Sequence, residues 1–144
     1  MNKQFVLSVV VVLFIVTMLV GMVVHGMLLH GDYDKLAGKV FRTPGDSQDH
    51  FLYMILAHVF MAIGITWIYR QGRNASPWLG QGVRFGLALW VLMTIPTYLI
   101  YFAVQPLPSD MVAKQIVFDG VGMVVIGIVA AFMNRGAAGA PMRA

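Results

Sequence analysis

Asp119 is a carboxylate set inside an apolar stretch, and it is where the chain is most expected to do chemistry. It lies about two helical turns in from the start of the run 111–133. A carboxylate at that depth in a membrane costs roughly 2.5–3.5 kcal/mol on insertion scales, so it must face other helices and find a partner. Gln115, four residues before it, and Gly122, three after it, share its helical face.

Other apolar runs offer partners at comparable depth. His58 lies inside the run 51–69, with Ala62 and Thr66 continuing its face. His25 lies near the end of the run 5–29, with Thr17 and Gly21 below it. A third run carries Thr94, Thr97, Tyr98 and Tyr101 at i, i+3, i+4 and i+7. Each run thus has one small or polar stripe, the kind of face that membrane helices turn toward one another. The expected cluster is His25, His58, Asp119, Gln115, Tyr98 and Tyr101.

Three chemistries suit such a cluster. The first is a hydrogen-bonded His58–Asp119 pair that locks the helices together, a contribution of about 0.6 kcal/mol on average in membranes. The second is proton handling, since imidazole and carboxylate side by side form a relay. The absence of a second acid within the runs, or of any charge in their inner half, weakens a transporter reading. The third is a cofactor: His25 and His58 as two axial haem ligands, or with Asp119 as a two-histidine, one-carboxylate metal site. His30 and His50 fall at a membrane boundary, where histidine is ordinary.

The elements that must position these groups are transmembrane helices. The chain has 144 residues, 59% hydrophobic and only 11% charged, less than half the charged share of a soluble domain. A span needs about 20 apolar residues, and the runs at 5–29, 51–69, 83–104 and 111–133 leave room for little else. The fold class is all-α: a single-domain polytopic membrane protein, an antiparallel four-helix transmembrane bundle. The first run is too long for a signal sequence, and no small-residue cleavage site follows it. The outer loop 30–50 carries Tyr33, Leu36, Val40 and Phe41 among charges, a pattern that predicts a short surface helix ended by Thr43-Pro44-Gly45-Asp46. Trp67 and Tyr69 read as interfacial aromatics. Ser76-Pro77 reads as N-cap and first-turn proline of the third helix, which Pro96 should kink. The small-residue tail 134–144 is expected to be flexible. Gly82-Val83-Arg84-Phe85-Gly86 fits a close-approach motif, and Gly120, Gly122 and Gly127 read as packing contacts.

Lys3, Arg70, Arg73, Arg84, Arg135 and Arg143 fall on one side of the spans, and Lys35, Lys39, Arg42 and Lys114 on the other. All six acidic residues lie toward the second side. The basic bias predicts N-in and C-in topology, with both termini cytoplasmic, in a bacterial-type inner membrane. No cysteine is present, which excludes disulfides and thiolate metal sites. The net charge of +4 is explained by span-flanking residues, and no basic stripe with interleaved aromatics supports nucleic-acid binding. The leading expectation is a non-enzymatic protein that acts by association in the bilayer, as an accessory subunit of a membrane-protein partner or as a homo-oligomer. The alternative is a proton-coupled or haem- or metal-binding redox protein using His25, His58 and Asp119.

Overall fold

The computed structural model describes residues 2–137, and all of its extended elements are helical. Four helices are long and apolar enough to cross a membrane: Lys3–Leu28, Phe51–Gly72, Trp78–Val104 and Ser109–Asn134. The first comprises α1 (Lys3–Gly21) and a π-helical continuation, Met22–Leu28. Asn2 caps its start by accepting a hydrogen bond from the Gln4 amide at 3.1 Å. The second is α4 (Phe51–Gly72), and the fourth is α7 (Ser109–Asn134).

The third is broken rather than uniform. α5 (Trp78–Leu89) passes into a π segment, Trp90–Thr94, and then into α6 (Ile95–Val104), which has Pro96 in its first turn. Proline has no amide proton to give the preceding turn, and the wider π turn absorbs that vacancy. The helix begins at Trp78, with Pro77 itself in the cap position and Ser76 one residue further out than expected. The Gln81 side chain supplies the missing polar closure, donating to the Asn74 and Ser76 carbonyls and accepting from the Asn74 amide.

The long connection holds two helices, not one. α2 (His30–Leu36) ends in a turn at Gly38, whose φ of 73° lies where a side chain is strained. α3 (Pro44–Asp49) then starts on the segment expected to be a stop. Thr43 accepts from the Asp46 amide and Pro44 occupies the first turn, so the same residues that end one helix cap the next.

The apolar core sits toward the end of the bundle that holds the chain termini. Val9 and Leu13 of α1, Ala62, Ile65 and Tyr69 of α4, Leu89 of α5, and Ile126, Ala130 and Ala131 of α7 meet there. Tyr69 is therefore a core residue, edge-on to Phe85 at 5.1 Å, because Ala62, Ile65, Thr66 and Tyr69 form one helical stripe. Trp67, on the opposite face, is exposed as expected. Asn134 is also buried, and it donates to the Ala130 carbonyl at 2.8 Å as the last residue of α7, so the expected flexible tail starts no earlier than Arg135. A 3₁₀ turn, Arg135–Ala137, follows, and the rest of that tail lies outside the described residues.

Lipid tails are as apolar as leucine, so membrane helices are held by close packing rather than by escape from solvent. α5 and α7 achieve this backbone to backbone. A Cβ on Gly86 would stand 2.5 Å from the Met123 carbonyl oxygen and the Val124 Cα, and one on Gly82 would stand 2.8 Å from the Ile128 Cα. Gly127 answers from α7 against Gly82 and Gly86. Gly86→Ala is expected to lower resistance to denaturation in detergent, followed by circular dichroism, by about 1–3 kcal/mol. Gly64→Ala, with open space around it, should be neutral or stabilising by up to about 1 kcal/mol. Equal effects of the two substitutions would show that the backbone contact is not what fixes this helix pair.

Candidate functional site

The polar groups gather at the opposite end of the bundle, beneath the 29–50 connection. His25 is central to the π segment Met22–Leu28, a helical form often found at functional positions. The helix then stops at Leu29, and α2 turns back so that the Tyr33 hydroxyl reaches His25 Nδ1 at 2.9 Å. Phe41, beyond the Gly38 turn, packs edge-on to Tyr33 with ring centroids 4.9 Å apart. From α7, Lys114 pairs with Asp32 at 2.9 Å and with Asp110 at 3.2 Å, pinning α2 to the start of that helix. The Lys114 hydrogen bond holds the Asp32 carboxyl below its ordinary value of 3.8.

Asp119 is met from two directions. His25 Nε2 stands 3.4 Å from Asp119 Oδ1, and the Tyr98 hydroxyl of α6 donates to Oδ2. Gln115, one turn before Asp119, donates to the Tyr33 hydroxyl at 2.8 Å. These contacts allow one simple proton assignment. Tyr33 accepts from Gln115 and gives its own proton to His25 Nδ1, which leaves the other ring proton on Nε2, at ion-pair distance from Asp119. Burial above all raises the proton affinity of the Tyr33 phenol; the charge of Asp119 adds to it and the Gln115 hydrogen bond opposes it. Tyr33 is thus kept as a hydroxyl donor. The side chain of Asp119 is 13% exposed and that of His25 36%, so the carboxylate is enclosed while the imidazole keeps one open edge.

Small residues make this convergence possible. Gly122, on the same α7 face as Asp119, would place a Cβ 2.5 Å from Val20 Cγ1, so this face lies directly against the first span. Gly120 leaves room for the Trp90 indole, which donates to the Ile116 carbonyl at 2.8 Å and ties the second π segment to α7.

Of the expected cluster, the structure brings together His25, Asp119, Gln115 and Tyr98. His58 and Tyr101 stand apart. The π segment Met22–Leu28 packs on α7, and this places His25, not His58, in reach of Asp119. The expected His58–Asp119 pair is not formed among the described residues. His58 instead lies beside Gly21, where a Cβ would be 3.5 Å from His58 Cε1, and its Nδ1 is buried without a hydrogen-bond partner. Such an orphan costs roughly 1–3 kcal/mol unless something satisfies it. Tyr101 is 45% exposed and Thr97 is exposed too; both lie on α6 with Tyr98, about 60–100° round the helix from it, and only Tyr98 is turned to Asp119. Tyr33 was not legible as a site residue. Its signal was the apolar face it shares with Leu36 and Phe41, which turns a hydroxyl toward the bundle.

Beside this network is an open cavity of about 1010 Å³ between the end of the first span, the α2–α3 connection and the start of α4. His25 and His58 both line it, together with Tyr33, Met22, Met54 and Phe51. Both ring nitrogens of His25 are engaged, so service as an axial haem ligand would require breaking its contacts with Tyr33 and Asp119. Among the described residues, no group of three or more histidines and acidic residues is placed to hold a metal ion, so His25, His58 and Asp119 do not close up as a ligand set. His30 and His50, expected at a membrane boundary, are the first residue of α2 and the residue that follows α3. His30 stands 3.3 Å from Asp34, and His50 bonds the Asp46 carbonyl at 2.8 Å.

No protein family matches the chain, and no curated protein or solved structure is significantly similar to it. The site must be read from its own geometry. That geometry predicts the outcome of two double-mutant cycles. His25→Ala and Asp119→Asn should be coupled by about 0.5–1.7 kcal/mol in detergent denaturation. His58→Ala and Asp119→Asn should be additive within about 0.3–0.5 kcal/mol. The reverse pattern would restore the His58–Asp119 pair.

Proposed function

We propose that this chain is an integral membrane protein of a bacterial-type inner membrane that exchanges a proton between the Asp119–His25–Tyr33 network and a partner in the adjoining groove. In this reading the four spans run antiparallel, with both termini cytoplasmic and the network in the outer half. Supporting the orientation are six basic residues on the terminal side against four on the other, and six aspartates on the loop side.

The observation that carries the reading is the position of His25. Its two nitrogens meet Asp119 and Tyr33, while its ring also forms part of the groove wall. A proton gained or lost at the groove is then passed to a carboxylate enclosed on α7, with Tyr98 and Gln115 holding the acceptors in place. The test is infrared difference spectroscopy on the protein in lipid, stepped across about pH 4 to 8, where carboxylates and imidazoles ordinarily titrate. A linked carboxyl and imidazole change is expected, lost in Asp119→Asn and altered in His25→Ala. Bands of Asp119 and His25 that stay constant over that range would reduce the network to a structural lock.

A second reading, association with another membrane helix, is favoured by one feature. α6 has no buried residue along Ile95–Val104, although its neighbours on α7 are buried. An accessory subunit or homo-oligomer would cover that face. Native mass spectrometry of gently extracted protein should then record a second polypeptide or a second copy, and Leu99→Arg should release it. A monomer at all concentrations would dismiss this reading.

A further inference from the structure

We propose that the groove between the first span and α4 binds a lipid-soluble quinone or quinol, with the ring head at His58 and the isoprenoid tail among the methionines of its walls. The inference rests on the proposed function above and names the class of molecule that would occupy the groove.

Size comes first. Small-molecule pockets run from about 300 to 1,000 Å³, and the groove, at about 1010 Å³, reaches the upper end of that range. It has room for a ring and part of a tail. Met18, Met22 and Met54 line it, and unbranched thioethers adapt to an irregular apolar ligand and pack well on flat rings. Phe41 and Phe51 add aromatic faces.

Charge then selects the head. The ionic groups on the wall already have partners: Arg42 holds Asp46 at 2.7 Å, and His30 stands 3.3 Å from Asp34. A carboxylate or phosphate head would have to break one of these pairs or enter without a counter-charge. His58 also lines the groove and, among the described residues, is in no ion pair there; its Nδ1 is closed off without a hydrogen-bond partner, so a ligand would meet the other edge of the imidazole. A neutral imidazole has one donor and one acceptor nitrogen. It therefore serves a quinone carbonyl, which accepts, and a quinol hydroxyl, which donates. The flat head, the neutral polarity and the switch between acceptor and donor are met together by this class. A long-chain alcohol is neutral and both donates and accepts, but it lacks the flat head, and an ionised fatty acid meets none of the three.

The test uses the whole protein in lipid nanodiscs and a decyl-substituted p-benzoquinone as probe, read by equilibrium dialysis and by added mass in native mass spectrometry. Saturable binding is expected. His58→Ala should weaken it at least about tenfold. Met54→Trp, which fills the groove without touching the imidazole, should do the same, and it keeps the test open if His58→Ala fails to fold. Gly80→Ala, which lies outside the groove, should change binding less than about twofold. Uptake that rises linearly with concentration and is equal in wild type and variants, as for simple partition into lipid, would overturn the proposal. So would His58-dependent binding of oleate or dodecanol in preference to the quinone. The infrared experiment separates the two claims. Saturable quinone binding with an unresponsive network defeats the proton reading alone, and a responsive network with no saturable quinone binding defeats this one alone.

Discussion

A carboxylate enclosed within an apolar helix must be satisfied, and the loop end of this protein is built around that requirement. Asp119 draws one partner from the first span and one from α6, and its helix neighbour Gln115 draws a third group from α2. Each partner needs a local departure from regular structure. His25 sits in one π segment, Tyr98 follows another, and Tyr33 arrives only because the chain folds back at Leu29. Wide helical turns are less favourable than α turns. Two of them beside a single carboxylate are explained by the greater cost of leaving it unpaired.

The other end of the bundle meets a different constraint. There the spans are held by contact rather than by charge. Gly82 and Gly86 bring the α5 backbone onto α7, and Val9, Leu13, Ala62 and Ile65 close α1 on α4. Tight packing at one end leaves the other free to open. α1 and α4 share a core near the termini, and the groove lies between their continuations at the loop end. The backbone-to-backbone contacts of Gly82, Gly86 and Gly127 are at the end that holds the termini, whereas Gly120 and Gly122 at the other end make room for side chains.

The four long apolar helices were legible in the sequence because length and composition suffice for them, and the Gly82–Gly86 spacing fitted a close-approach motif whose partner, Gly127, only the fold reveals. The need of Asp119 for a partner was legible too, from the cost of its burial. The identity of that partner was not. His25 and His58 are at similar depth on different spans, and only the packing of the His25-bearing π segment against α7 decides between them. Tyr101 was misplaced for a second reason. An i, i+3, i+4, i+7 stripe spans about 100° of helix surface, and α6 turns only the Tyr98 edge of it to α7, leaving Thr97 and Tyr101 exposed. The segment Thr43-Pro44-Gly45-Asp46 misled because residues that break one helix are also those that start another.

The two histidines that looked alike in the sequence end in opposite states, and that difference gives the site its direction. His25 has both nitrogens committed, one to a carboxylate and one to a phenol, so its ring is held in place and its tautomer is set by its neighbours. His58, on the groove wall, has a buried nitrogen with no hydrogen-bond partner among the described residues. A committed imidazole is suited to carry a proton between fixed partners; an uncommitted one is suited to hold something that comes and goes. On the proposed reading the ligand would rest on His58 and be sensed through His25, and the charge state of Asp119 would follow what occupies the groove. The order cannot be inverted, because His25 would have to release Asp119 to bind a ligand itself, and the carboxylate would then lose the partner its depth demands.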